Sequence, residues 1–173
     1  MNSSVAVEWK AVCNVSDVLP GTDWTYSYAY APSLSGDNLA IQIVADGDEP
    51  SGIFTYTDGA LELHAQLWAE HPGGLGIVRG LGRPTLNGTD LVYAATWYNE
   101  GNSGAYTTEL LQISGGITRF VDPPPGTVLP GAPADTEFIQ RRGHTQSVDG
   151  AMIVRLRSVT FDRERWDGLY RFE

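Results

Sequence analysis

The sequence predicts an all-β protein: three divergent units of roughly 52 residues, each of about four strands. Three observations predict it. Short runs rich in β-branched and aromatic residues are broken by scattered Gly (20) and Pro (10), the pattern of many tight turns. Three landmarks recur in the same order along the chain. No stretch holds a helical period with caps; Leu61–Glu70 comes nearest, and its Asp58-Gly59 lead-in favours a strand.

The first landmark is a Pro-Gly turn: Pro20-Gly21, Pro72-Gly73 and Pro130-Gly131. The second is a polar–apolar–polar–Gly run: Pro32-Ser33-Leu34-Ser35-Gly36, Pro84-Thr85-Leu86-Asn87-Gly88 and Gln146-Ser147-Val148-Asp149-Gly150. The third is Gly–apolar–aromatic: Gly52-Ile53-Phe54, Gly104-Ala105-Tyr106 and Gly168-Leu169-Tyr170. The first two units lie 52 residues apart at all three landmarks.

The expected strands follow in order. The first unit offers Trp24–Tyr30, Leu39–Val44, Gly52–Tyr56 and Leu61–Gln66. The second offers Ile77–Leu81, Leu91–Trp97, Ala105–Ile113 and Ile117–Val121. The third offers Glu137–Gln140, Met152–Val159 and Leu169–Phe172. Asp58-Gly59 and Gly115-Gly116 read as two-residue hairpin turns. The third unit shows three strands, and Val5–Val12 precedes the first Pro-Gly turn where a fourth strand would sit. Val5–Val12 is therefore expected to complete the third unit and cover its edge. The expected organisation is one domain, 1–173, with units at about 19–71, 72–129 and 130–173.

These landmarks resemble the repeats of a family of bacterial surface and secreted proteins with propeller-like architecture and no assigned activity. Pro32-Ser33-Leu34-Ser35-Gly36 with Gly52-Ile53-Phe54 carries the resemblance best. The second unit follows, and the third departs from it at Gln146 and Val148. The resemblance implies propeller blades and a surface or extracellular setting, with no catalytic residues to transfer. Three blades are fewer than the usual four to eight, so a homo-oligomer, favoured as a six-bladed dimer, is expected. The alternative architecture is a β-trefoil or β-prism closed within one chain.

Composition narrows the function classes. The net charge of −10 argues against nucleic acid as a partner, because phosphate binding needs basic stripes. No apolar run approaches the ~18 residues of a membrane helix, and Met1-Asn2-Ser3-Ser4-Val5 has neither the basic nor the apolar region of a signal peptide. Cys13 is the single cysteine, which excludes an intrachain disulfide. Residues 1–131 hold four basic and 14 acidic groups, whereas residues 132–173 hold seven Arg and seven acids. That asymmetry fits either head-to-tail contact between copies or a drift in composition of one unit.

Candidate ligand residues are aromatic. Trp24, Tyr26, Tyr28 and Tyr30 alternate with small residues, and period-2 spacing puts all four on one face. They suit a stacking platform for a sugar, or packing between units, because Gly76, Val78, Gly80 and Gly82 align with them in the second unit. Trp97 and Tyr98 join them as candidate ligand-binding residues. The acidic run Asp46-Gly47-Asp48-Glu49 reads as a solvated hairpin tip rather than a calcium loop. His64, His71 and His144 match no zinc spacing, and no nucleophile elbow, Walker loop or dinucleotide fingerprint is present. No catalytic, metal or cofactor residue is assigned.

The leading expectation is a non-enzymatic binding module for carbohydrate, acting as an oligomer. The alternatives are a structural assembly subunit of a surface layer, filament or virion, and a hydrolase acting at a propeller channel.

Overall fold

The computed structural model describes residues 11–47, 51–74, 76–98, 106–124, 126–148, 151–160 and 165–172. It is all-β, in three antiparallel sheets. The first contains β1 (Tyr26–Ala29), β2 (Ser33–Ser35), β3 (Asn38–Ala45), β4 (Ser51–Thr57) and β5 (Ala60–Gln66). The second contains β6 (Ile77–Leu81), β7 (Thr85–Asn87), β8 (Asp90–Tyr98), β9 (Tyr106–Ser114) and β10 (Ile117–Phe120). The third contains β11 (Thr136–Val148), β12 (Ala151–Thr160) and β13 (Arg165–Phe172). Each sheet is a meander, ordered β1-β3-β4-β5, β10-β9-β8-β6 and β11-β12-β13, with β2 and β7 added on β3 and β8. Of the expected strand over Val5–Val12, residues 5–10 lie outside the described residues, and Ala11 and Val12 are not in a strand.

Proline explains why the leading strand is broken in two sheets and whole in one. Pro32 separates β1 from β2 and Pro84 separates β6 from β7, since a residue without an N–H cannot continue the ladder. β11 contains no proline and continues as one strand, although its register with β12 shifts between Arg142 and Gln146. Gly36 and Gly88, both at φ 60°, lead the tight turns into β3 and β8. Asp58-Gly59 (φ 52° and 83°) and Gly115-Gly116 (56° and 77°) form the tight hairpins into β5 and β10. The Pro-Gly turns close with Thr22 N–H on Leu19 C=O, Gly74 N–H on His71 C=O and Ala132 N–H on Leu129 C=O.

Pairing registers show which residues occupy equal places. Ile43 lies opposite Gly52, Ala95 opposite Glu109 and Leu156 opposite Gly168. The third landmark thus holds for Gly52 and Gly168, but its middle member is displaced. Glu109, not Gly104, stands at that place, because the β8–β9 hairpin is five residues longer. Gly104 and Ala105 lie outside the described residues. The second landmark is also displaced by one residue in the third sheet: Val148 pairs with Ala151 as Ser35 pairs with Asn38.

A β-bulge interrupts the leading strand of every sheet, between Tyr26 and Tyr28, between Val78 and Gly80, and between Phe138 and Gln140. The inserted residue reverses which face the following side chains take.

The sheets stack face to face. We call the face of each sheet that carries Ile43, Ala95 or Leu156 its front, and the opposite face its back. Ala40 and Ile53 on the back of the first sheet pack with Val78, Leu86, Leu91, Tyr93, Ala95 and Leu111 on the front of the second. Val92 and Leu110 on the back of the second pack with Met152 and Leu156 of the third, and with Leu129. Along the stack β2 lies against β7, and β7 against β11. The front of the first sheet carries a separate cluster of Leu19, Ile43, Ala45 and Phe54, against which Cys13, Trp24 and Tyr26 rest. Burial and the nearby Asp17 charge both raise the Cys13 thiol pKa above its ordinary value.

Candidate ligand sites around the first seam

The bulge at Ser27 divides the aromatic strand. Tyr26 pairs opposite Ala45 and Tyr28 opposite Val44, so the two rings leave from opposite faces. The expectation of four aromatics on one face is therefore corrected. Trp24 and Tyr26 pack into the front cluster of their own sheet. Tyr28 and Tyr30 point to the back, toward the second sheet, 48% and 36% exposed. Their rings meet edge to face with centroids 5.9 Å apart.

Several bonds fix this corner. Tyr30 N–H donates to Gln42 C=O. The buried Gln42 amide bridges the seam, donating to Ser51 Oγ at 3.0 Å and to Leu81 C=O at 3.2 Å. From the link between β6 and β7, the Arg83 guanidinium lies 5.2 Å from the Tyr30 ring centroid. Such a cation over a ring contributes about 0.5–1 kcal/mol at an exposed site. The corner offers ring faces, a tyrosine rim and guanidinium donors, which is the chemistry that holds a sugar.

Trp97 and Tyr98 take different places. Trp97 is buried, and its Nε1–H donates to Glu109 Oε2 at 2.8 Å. It is a wall of the core rather than a stacking surface. Tyr98 meets the exposed Tyr106 at 5.3 Å, forming a second aromatic pair at the last rung of the β8–β9 ladder before the connection.

Beside Trp97 is a feature that spacing did not reveal. His71 occupies the place before Pro-Gly that Leu19 and Leu129 fill in the other turns, and all three side chains are buried. Its ring stacks on Phe120 at 5.4 Å and tilts against Trp97 at 5.0 Å. Nδ1 accepts the Gly73 N–H at 3.2 Å, so the proton sits on Nε2. Nε2 lies 3.1 Å from Glu109 Oε2, off the hydrogen-bonding direction. Burial lowers the His71 pKa while the Glu109 charge pulls it upward, and the burial effect is the larger. His71 and Glu109 together replace the Leu and Gly that stand at these places in the first sheet, Leu19 and Gly52. The change of residue type at position 71 was a visible signal. Its partner was hidden, because Gly104 occupied the expected place of Glu109.

A cleft of about 200 Å³ opens between the first two sheets, lined by apolar Leu63, Val78, Tyr93 and Leu111 with polar Gln66 and Glu70. Burial alone pushes the Tyr93 hydroxyl up to about 12, so it stays neutral. His64, also on the cleft, bonds through Nε2 to Thr55 Oγ1 at 2.7 Å. Burial lowers its pKa against the upward pull of Glu62. The cleft is smaller than the common range for ligand pockets, roughly 300–1,000 Å³. Among the described residues no group of three His, Cys, Asp or Glu could hold a metal ion, and Asp48 and Glu49 lie outside them.

Compared with protein families, curated proteins and solved structures, the chain finds no match. Function must therefore be argued from these sites.

Proposed function

We propose that the chain is a non-enzymatic binding module of propeller-like architecture that acts as an oligomer and takes carbohydrate at the Tyr28–Tyr30–Arg83 corner. The observation that carries the ligand class is the half-exposed, edge-to-face tyrosine pair beside a guanidinium, held at a seam by Gln42. A pyranose would lay its C–H face on a ring and receive hydrogen bonds from Arg83. The blade reading is supported by three meanders that share a bulge position and stack back to front, with β2, β7 and β11 in sequence. Each sheet is then one repeat. The resemblance to surface and secreted repeat proteins points the same way.

The test is a glycan array followed by titration of the best ligand. Tyr28→Ala and Tyr30→Ala should each weaken binding about tenfold or more, since a ring–sugar contact of 1.4 kcal/mol or above is lost. Both should leave the unfolding midpoint close to wild type, because the rings are partly exposed. Full binding by the double variant would sink the proposal.

A second reading, a structural assembly subunit, is favoured by one observation: Leu34 and Leu169 are exposed at the two ends of the stack.

A further inference from the structure

We infer that the front of the first sheet and the back of the third are the two halves of one head-to-tail seam, closed by a second copy of this chain. The inference rests on the blade reading and adds to it the surfaces and the direction of assembly.

The two seams inside the chain show what a closed seam looks like. In the first, the back of sheet one contributes Ile53, 0% exposed, and the front of sheet two contributes Leu86, 2% exposed. Ser33 Oγ accepts the Leu86 N–H at 3.0 Å and Ser35 Oγ accepts the Gly88 N–H at 2.8 Å, so hydroxyls of one sheet fasten the backbone of the next. In the second, Leu110 stands at the register place of Ile53 and is 1% exposed against sheet three.

The same places are bare at the ends. Leu34 holds in sheet one the place that Leu86 holds in sheet two, yet it is 68% exposed. Leu169 holds in sheet three the place of Ile53 and Leu110, yet it is 76% exposed. Gln146 pairs with Ile153 as Ser33 pairs with Ala40, so it holds in sheet three the register place of Ser33. One end thus shows a front face and the other a back face. An isologous pairing would put like on like, whereas a head-to-tail pairing repeats the internal seams.

Charge selects the same partner. Residues 19–71 contain eight acids and no Lys or Arg, while residues 130–173 balance seven Arg against seven acids. Two first units repel each other, and a first unit against a third does not. A partner with an extended apolar strand would satisfy Leu34 alone and would leave Leu169 unexplained. A second copy satisfies both.

The experiment is solution mass by size-exclusion chromatography with light scattering, on wild type, Leu34→Arg, Leu169→Arg and their equimolar mixture. Far-ultraviolet circular dichroism confirms that each variant is folded. Wild type is expected at two or more times the 18.8 kDa chain mass, and each variant alone at 18.8 kDa. The mixture is expected to form a one-to-one pair, because the Leu34 variant keeps a sound back face and the Leu169 variant a sound front face. A monomeric wild type would overturn the seam, as would variants that keep the wild-type mass or a mixture that stays monomeric. These readings concern mass alone. Loss of the seam with sugar binding intact would leave the tyrosine site standing, and the reverse result would leave the seam.

Discussion

The second sheet and the two sheets beside it are built from the same hairpins but meet water differently. On the second sheet, Leu86 and Tyr93 on one face and Val92 and Leu110 on the other are all buried. On the first sheet the outward face is closed around Ile43, Ala45 and Phe54 but bare at Leu34, and on the third Leu169 is bare on the outward face. Leu34 and Leu169 are leucines at register places that are buried elsewhere in the same chain. Residue type and local geometry are matched, so position in the stack decides burial. The cost of an exposed leucine side chain, of order 1.5–3 kcal/mol relative to full burial, is borne at both ends at once.

The comparison can be broken first by truncation. Leu110→Ala should lower stability by about 2–5 kcal/mol, because it opens a cavity between sheets two and three. Leu169→Ala, made at the same register place, should stay within about 0.5 kcal/mol when measured by urea unfolding of the dilute chain. Equal losses would show that the third sheet does not end the stack.

A smaller effect sharpens the contrast between turns. Leu19 and Leu129 are apolar plugs, whereas His71 is an ionisable one. Burial holds His71 and His64 below the ordinary imidazole value of 6.5. Below that pH the unfolded chain binds protons that the folded chain resists. Stability is therefore complete above about pH 6.5 and falls as pH drops toward the depressed folded values. His71→Leu should flatten part of the fall in melting temperature between pH 7 and pH 5. At pH 7 it should cost only about 1 kcal/mol, because Glu109 keeps the Trp97 donor. An unchanged slope would place the pH dependence on other groups.

Much of the local fold was legible in the residues. Asp58-Gly59 and Gly115-Gly116 announced their hairpins because few dipeptides tolerate two positive φ angles. Short apolar runs between turn residues located β3, β4, β5, β6 and β8 to within about two residues. The candidate site was only half legible. Trp24, Tyr26, Tyr28 and Tyr30 alternate without a break, and nothing in Ser27 announces a bulge. The one inserted residue sends half the platform into the core and turns the other half toward the seam. Gln42 and Arg83 reach that corner from β3 and from the second sheet respectively, contacts that no spacing within one strand encodes. Glu109 was missed because a lengthened hairpin moved it five residues from the landmark glycine.

The most direct measurement is hydrogen–deuterium exchange of the segment 33–37 at rising protein concentration. Its counterpart in the second sheet donates Leu86 N–H and Gly88 N–H to serine hydroxyls across a closed seam. If the outer faces are halves of the same seam, exchange in 33–37 slows as the concentration rises, and Leu169→Arg abolishes the slowing. Exchange that is independent of concentration in both proteins would contradict it.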